Sequence, residues 1–205
     1  GTRIGNVLNS LGWPTTSRNL ATGQSSLIST GALANSNAMT HLFTVQDTEL
    51  GILFESPAGA IVYQDRHTRL IAPYITSQAT FGDQPSTNQY SRILPAYQDL
   101  RIYNDIRVTR TGGTEQVATS TTSQDSYGPR SLERPSLLMT TDADALAQAQ
   151  YLLGRYKDPA MRVKQIELKP NYSPSTLYPV VFGYDISTRI TVKLTQASLS
   201  KDYHI

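Results

Sequence analysis

The sequence predicts an α+β fold, rich in antiparallel strands, and three observations predict it. Apolar residues recur with a helical period in three stretches, near residues 3–11, 36–50 and 141–156. Between and after them, apolar and polar residues alternate with period two, most clearly at 102–117 and 186–194. The segment order is hairpin, helix, then further strands, with no strand–helix–strand alternation of the kind that winds a parallel sheet.

The elements follow in chain order. Arg3 to Leu11 reads as a short helix with Ile4, Val7, Leu8 and Leu11 on one face, ended by Gly12 and Trp13-Pro14. Leu27-Ile28 reads as a short extended run. Asn35 or Ser36 can cap a second helix whose apolar face holds Met39, Leu42, Phe43 and Leu50, with Gly51 as its stop. Ile52-Leu53-Phe54-Glu55 and Ala60-Ile61-Val62-Tyr63 flank Ser56-Pro57-Ala58-Gly59, which predicts a hairpin. Residues 76–95 lack periodicity and contain Gly82, Pro85 and Pro95, so they read as a long loop or crossing. A boundary near residue 95 divides the chain into a helix-plus-hairpin α/β domain (1–95) and a β-barrel-like domain with one long helix (96–205), its C-terminal end incomplete.

In the second half, Ile102, Ile106 and Val108 share one strand face, and Arg101, Tyr103, Arg107 and Thr109 share the other. A turn at Gly112-Gly113 would set Thr111 against Thr114, Arg110 against Glu115 and Val108 against Val117. Thr141 is the expected N-cap of the third helix. Asp142 and Asp144 lie in its first turn, and Ala145, Ala149, Leu152, Leu153 and Tyr156 form its buried stripe. Asp158-Pro159 ends it. Val163–Leu168 and Val180–Phe182 then read as strands, and Ile186, Ile190, Val192 and Leu194 as the inner face of another. Lys201 to Ile205 reads as a strand cut in its middle, so both ends look like the edges of a longer protein.

Composition narrows the function classes. The chain has 205 residues, 39% hydrophobic and 17% charged, with a formal net charge of +2. That charge gives no bulk electrostatic case for nucleic acid, and all five lysines fall after residue 150. There is no cysteine, which excludes disulfides, thiolate metal sites and cysteine nucleophiles. No apolar run approaches the ~20 residues of a membrane span, and Gly1 to Asn6 is no signal peptide.

No constellation of catalytic residues emerges. His41, His67 and His204 do not fall at the i, i+4 spacing of helical metal sites. Asp65 and His67 could pair, but no G-x-S-x-G motif accompanies them. Asp142 and Asp144 read as complements to a helix dipole rather than as an acid–base pair. Gly112-Gly113 is no phosphate loop, because no G-x-x-x-x-G-K follows. Asn171-Tyr172-Ser173 matches a glycosylation sequon, uninformative without a secretory signal. The twelve tyrosines are spread through strands, which favours packing and interfaces over base stacking. No catalytic, cofactor-binding or metal residue is therefore assigned, and no cofactor is expected.

The order of motifs carries a resemblance. Residues 4–18 read I-G-N-V-L-N-S-L-G-W-P-T-T-S-R, and residues 41–67 read H-L-F-T-V-Q-D-T-E-L-G-I-L-F-E-S-P-A-G-A-I-V-Y-Q-D-R-H. Then come D-L-R-I-Y-N-D-I-R-V-T-R at 99–110, D-S-Y-G-P-R-S-L at 125–132, the D-A-D-A-L-A-Q-A-Q-Y-L-L-G-R-Y-K-D-P helix, and R-V-K-Q-I-E-L-K-P. Together these resemble the minor tail proteins of long-tailed phages, in the baseplate-hub group. The resemblance implies two barrel-like domains with intervening helices, the first barrel expected to begin upstream of Gly1. It implies a homo-oligomer, a trimer forming a pseudo-sixfold ring at the tail tip. The ring would join the tail tube to the distal tail protein and to tip or fibre proteins, around a channel for the tape-measure protein and DNA. Such a protein is made in the host cytoplasm and resides in the virion. The expectation is a structural component, not an enzyme, with the 102–117 hairpin and the strands around 186–194 as contact elements. The alternative is a receptor- or carbohydrate-binding tail module.

Overall fold

A computed structural model of the chain describes residues 1–30, 36–98 and 101–205. The elements run α1 (Thr2–Ser10), β1 (Arg18–Leu20), α2 (Ala38–Glu49), β2 (Ile52–Glu55), β3 (Ile61–Gln64), β4 (Ala79–Gly82), β5 (Asn88–Gln89) and β6 (Arg92–Gln98). They continue with β7 (Asp105–Arg110), β8 (Gln116–Thr119), α3 (Thr121–Tyr127), β9 (Ser131–Leu137), α4 (Asp142–Tyr156), β10 (Ala160–Glu167), α5 (Pro174–Gly183), β11 (Arg189–Leu194) and β12 (Leu199–His204).

The chain forms two compact units, and each uses two separate stretches: Gly1–Arg66 with Gln98–Ala160, and His67–Tyr97 with Met161–Ile205. This differs from the linear division at residue 95. Strand pairing explains it, because β4 hydrogen-bonds to β11, more than a hundred residues later, in parallel register with Phe81 opposite Val192. Linear pattern reading finds elements but not their distant partners.

Unit 1 holds two small sheets. In the first, ordered β1-β3-β2, β1 runs parallel and β2 antiparallel to β3, so the hairpin at 52–64 forms as expected. Ile4 and Leu8 of α1, Leu42 and Val45 of α2, Tyr63 and Leu138 make its core. The second sheet, ordered β8-β7-β9, carries α4 on one face, where Ile106, Val108, Ala118, Leu137 and Met139 meet Ala145, Ala149 and Leu152. Thr141 caps α4 as expected, its Oγ1 accepting from the Asp144 N–H at 3.1 Å. The chain between these cores is tied by buried polar groups. Thr48 Oγ1 accepts from the Leu138 N–H at 3.0 Å, and Gln148 Nε2 donates to the Asp47 carbonyl at 3.1 Å.

Several expectations in unit 1 are corrected. Asn37, not Ser36, caps α2, its side chain accepting from the Thr40 N–H; Asn35 lies outside the described residues. Val45 joins Leu42 inside while Met39 and Phe43 stay about half exposed, because α1 packs the face one step round from the one expected. Leu50 rather than Gly51 takes the left-handed position ending the helix. Gly51 is needed for a different reason: a Cβ there would sit 2.6 Å from the Gln64 carbonyl oxygen and 2.9 Å from the Tyr63 ring. The β7–β8 hairpin is real, but its register is one residue away from that expected. Val108 faces Gln116, Arg107 faces Val117 and Ile106 faces Ala118. A slip of one residue exchanges the two faces, so Ala118 is buried and Val117 is largely exposed. The small side chain fits under α4, and the larger one goes to solvent. Only Gly112 of the glycine pair has positive φ.

Unit 2 holds a four-stranded sheet ordered β12-β11-β4-β5 and a two-stranded sheet of β10 and β6. β11 and β12 are antiparallel, whereas β4 is parallel to both β11 and β5. Phe81, Leu177, Ile190 and Val192 form the core, flanked by Val163, Ile166, Val180, Tyr184 and Tyr203. Two expectations fail here. The 76–95 stretch is not a loop, since it supplies β4, β5 and most of β6. These strands are short and contain almost no alternation, so their partners define them. Val180–Phe182 is not a strand but the end of α5. Pro174 starts that helix, and Leu177, Val180 and Tyr184 lie at helical spacing on the core. Tertiary packing overrides the β-propensity of the valine pair.

The class is therefore mixed α+β, less antiparallel than expected, because β1–β3, β4–β11, β4–β5 and β7–β9 are all parallel pairs. The described sheets have two to four strands in open order, and no closed barrel occurs among the described residues.

Candidate functional site

Residues singled out in the sequence do not converge. His41 lies on α2, where Nε2 is buried without a hydrogen-bond partner. Burial, and then the nearby Arg3 charge, hold its pKa below the ordinary value. His67 precedes a 3-10 turn at Thr68–Leu70. His204 lies in β12 with Nδ1 2.9 Å from the Ser187 carbonyl oxygen. No group of three or more His, Asp or Glu suited to a metal exists among the described residues.

Asp142 works as a staple rather than an acid. Its Oδ1 accepts from Arg110 Nε at 2.6 Å and its Oδ2 from Thr114 Oγ1 at 2.9 Å, so the start of α4 grips the Gly112-Gly113 turn. The Thr114 hydrogen bond, and with it the Arg110 contact, keeps the carboxyl below its ordinary pKa. Asp144 returns the cap, accepting from Thr141 Oγ1 at 2.7 Å. The reading of both as helix-start residues fits this geometry.

Sequence reasoning missed the most buried acid. Glu49 closes α2 at 2% exposure. It accepts from the backbone N–H of Gln24 at 3.0 Å and from that of Ser25. Gln24 Nε2 donates in turn to Asp65 Oδ2 at 3.0 Å. The Tyr63 hydroxyl is pushed well above its ordinary pKa, first by burial and then by Glu49 and Asp65. A cavity of about 330 Å³ lies beside Glu49, with Arg3, Asn6, Thr22 and Ser25 in its wall. Each Glu49 oxygen accepts from a main-chain donor, so the group pins the chain at Gln24 and Ser25. In the sequence Glu49 stands only as the residue before Leu50-Gly51 at the end of the second expected helix.

The surface is more informative. In unit 1 the edge strands are β1 and β2 in one sheet, β8 and β9 in the other. In unit 2 they include β12 and β5. Thus β7 and β11, the centres of the two expected contact elements, are interior strands, and the edges beside them among the described residues are β8 and β9 next to β7 and β12 next to β11. Apolar groups stand out on α5, whose Phe182 is 80% exposed and stacks on Tyr178 with centroids 5.8 Å apart. Tyr172, just before α5, is 81% exposed. No helix among the described residues is long and apolar enough to cross a membrane.

No protein-family model and no curated protein matches the sequence. Solved structures do share the fold. The tail protein from Neisseria meningitidis MC58 is similar with a TM-score of 0.58 at 11% identity, over 100% of this chain and 58% of that one. The 43 kDa tail protein of prophage MuSo2 from Shewanella oneidensis gives 0.59 at 12% identity, over 100% and 59%. Prophage tail protein gp18 from Listeria monocytogenes EGD-e gives 0.50 at 14% identity, over 92% and 53%. The chain therefore spans less than two thirds of each of these proteins, and what it shares with them is the fold of phage tail proteins.

Proposed function

We propose that the chain is a structural component of a phage tail, placed at the tail tip in the baseplate hub. It assembles with copies of itself, as a trimer, into a ring that links the tail tube to distal tip proteins and surrounds the DNA channel. The observation that carries this reading is the fold match to three phage tail proteins, two of them over the whole chain. Open sheet edges at β8, β9, β12 and β1 are consistent with it, because an edge that is a liability on a lone subunit is covered in a ring. The protein acts by assembly and not by catalysis. It is made in the host cytoplasm and ends in the virion, next to the distal tail, tape-measure and tip or fibre proteins, with DNA as passing cargo.

Light scattering after size exclusion, on the full-length protein, tests the ring. A trimer or hexamer is expected. A strict monomer that also fails to bind tail-tube or tip proteins would overturn the reading. A turbidity assay on cell walls tests the catalytic rival, and no clearing is expected.

A further inference from the structure

Unit 2 contains an open groove of about 600 Å³, formed where β4 and β5 meet the start of α5. That volume is in the range of small-molecule sites, about 300–1,000 Å³. Tyr90 and Tyr172 both line it. The Tyr90 hydroxyl donates to the Lys193 carbonyl at 3.2 Å, which fixes the ring. Tyr172 stands 81% exposed, with Lys169 Nζ over its ring at 6.0 Å from the centroid. Around the two rings the lining is hydroxyl and amide: Thr87, Asn88, Ser173 and Thr176. Ser173 Oγ and Thr176 Oγ1 lie 3.2 Å apart. Asp83 is the only charged side chain lining the groove among the described residues. Its carboxylate is already engaged, accepting from Thr195 Oγ1 at 2.8 Å and from the Thr195 N–H at 2.9 Å.

We infer that this groove binds a neutral oligosaccharide. A pyranose presents an apolar C–H face that stacks on an aromatic ring and a rim of hydroxyls that both donate and accept. The exposed Tyr172 and the half-buried Tyr90 supply the first contact, and paired hydroxyls with an amide supply the second. Lys169 is drawn to the Tyr172 ring, and no Lys or Arg lines the groove itself among the described residues to meet an anion; an apolar ligand would strand the polar lining. Sugar binding and the oligomeric state are read by different measurements, so the failure of one is distinguishable from the failure of the other.

Saturation-transfer NMR on the full chain, with maltotriose, cellotriose and chitotriose at about 10 mM each, would populate a millimolar site. At least one trisaccharide is expected to give saturable transfer. Tyr172→Ala should weaken it tenfold or more and Thr176→Val several-fold, with melting and circular dichroism unchanged, since both side chains are exposed. Absence of transfer from all three sugars, or transfer that Tyr172→Ala leaves intact, would overturn the inference.

Discussion

The two units solve different problems with unequal amounts of chain, unit 1 taking the larger share. Unit 1 carries ten Lys and Arg against twelve Asp and Glu, a net of −2, and unit 2 carries eight against four, a net of +4. Unit 1 buries eight apolar residues in one core and six in the other, and unit 2 buries four in one, among the described residues. Unit 2 also leaves its most apolar helix facing solvent, with Val181, Phe182 and Tyr178 outward and only Leu177 buried. Unit 1 is the better-filled body, and unit 2 spends much of its apolar and aromatic content on its surface. The unit with less core has the roomier of the two described cavities, about 600 against 330 Å³, and an exposed aromatic helix, a surface suited to contacts with other molecules.

The sharpest way to break this contrast is to empty the smaller core. Phe81→Ala should cost about 3–5 kcal/mol. Hydrogen exchange should show Ala79–Gly82 and Arg189–Leu194 losing protection while Asp105–Arg110 keeps it. Equal loss in both would mean that the units do not open separately. A smaller effect is expected in unit 1 from Thr48→Val, which leaves the Leu138 N–H buried without an acceptor, at about 1–3 kcal/mol. Denaturant unfolding measures it, and a neutral result would remove the polar tie between the two cores. Thr141→Ala should cost about 1 kcal/mol through the lost cap, read as a lowered unfolding midpoint with α4 still formed.

The smallest effect is in acid, with one group per unit. Asp142 is held low by Thr114 and then Arg110, and Asp202 by Thr191 and then Arg189. Their folded pKa values lie below the unfolded ones. The stability they contribute is present above the ordinary carboxylate value of about 4 and is lost as pH falls through the lowered values. Asp142→Asn and Asp202→Asn should each flatten part of the acid limb of stability against pH. Unchanged limbs would make both ion pairs energetically silent.

Local chemistry was legible from sequence, and pairing over distance was not. The Thr141 cap, the α4 stripe, the 52–64 hairpin and the Ile190–Val192 face all follow from neighbours within a few residues. The β7–β8 register failed because two charge and valine pairings looked favourable, while the fit of Ala118 under α4 decided the outcome. β4 and α5 failed for a related reason: Phe81 and Leu177 meet only in the folded unit, so neither stretch advertises its state. At the surface, Asp142 and Asp144 could be read as helix-start residues from position alone. Glu49 could not, because its donors are main-chain groups that no side-chain pattern announces. The groove was equally invisible, since its two tyrosines stand far apart in the chain.

The long reach of β4 has a consequence for how the protein is made. At about 5–20 residues per second, a ribosome that has just completed Phe81 needs about 5–20 s more to supply Val192, its parallel neighbour. Through that interval β4 has only the two-residue β5 to pair with, while unit 1 can close as soon as Ala160 has emerged. Synthesis thus delivers the better-filled body first and the surface-rich body later, once the strands after Met161 have followed.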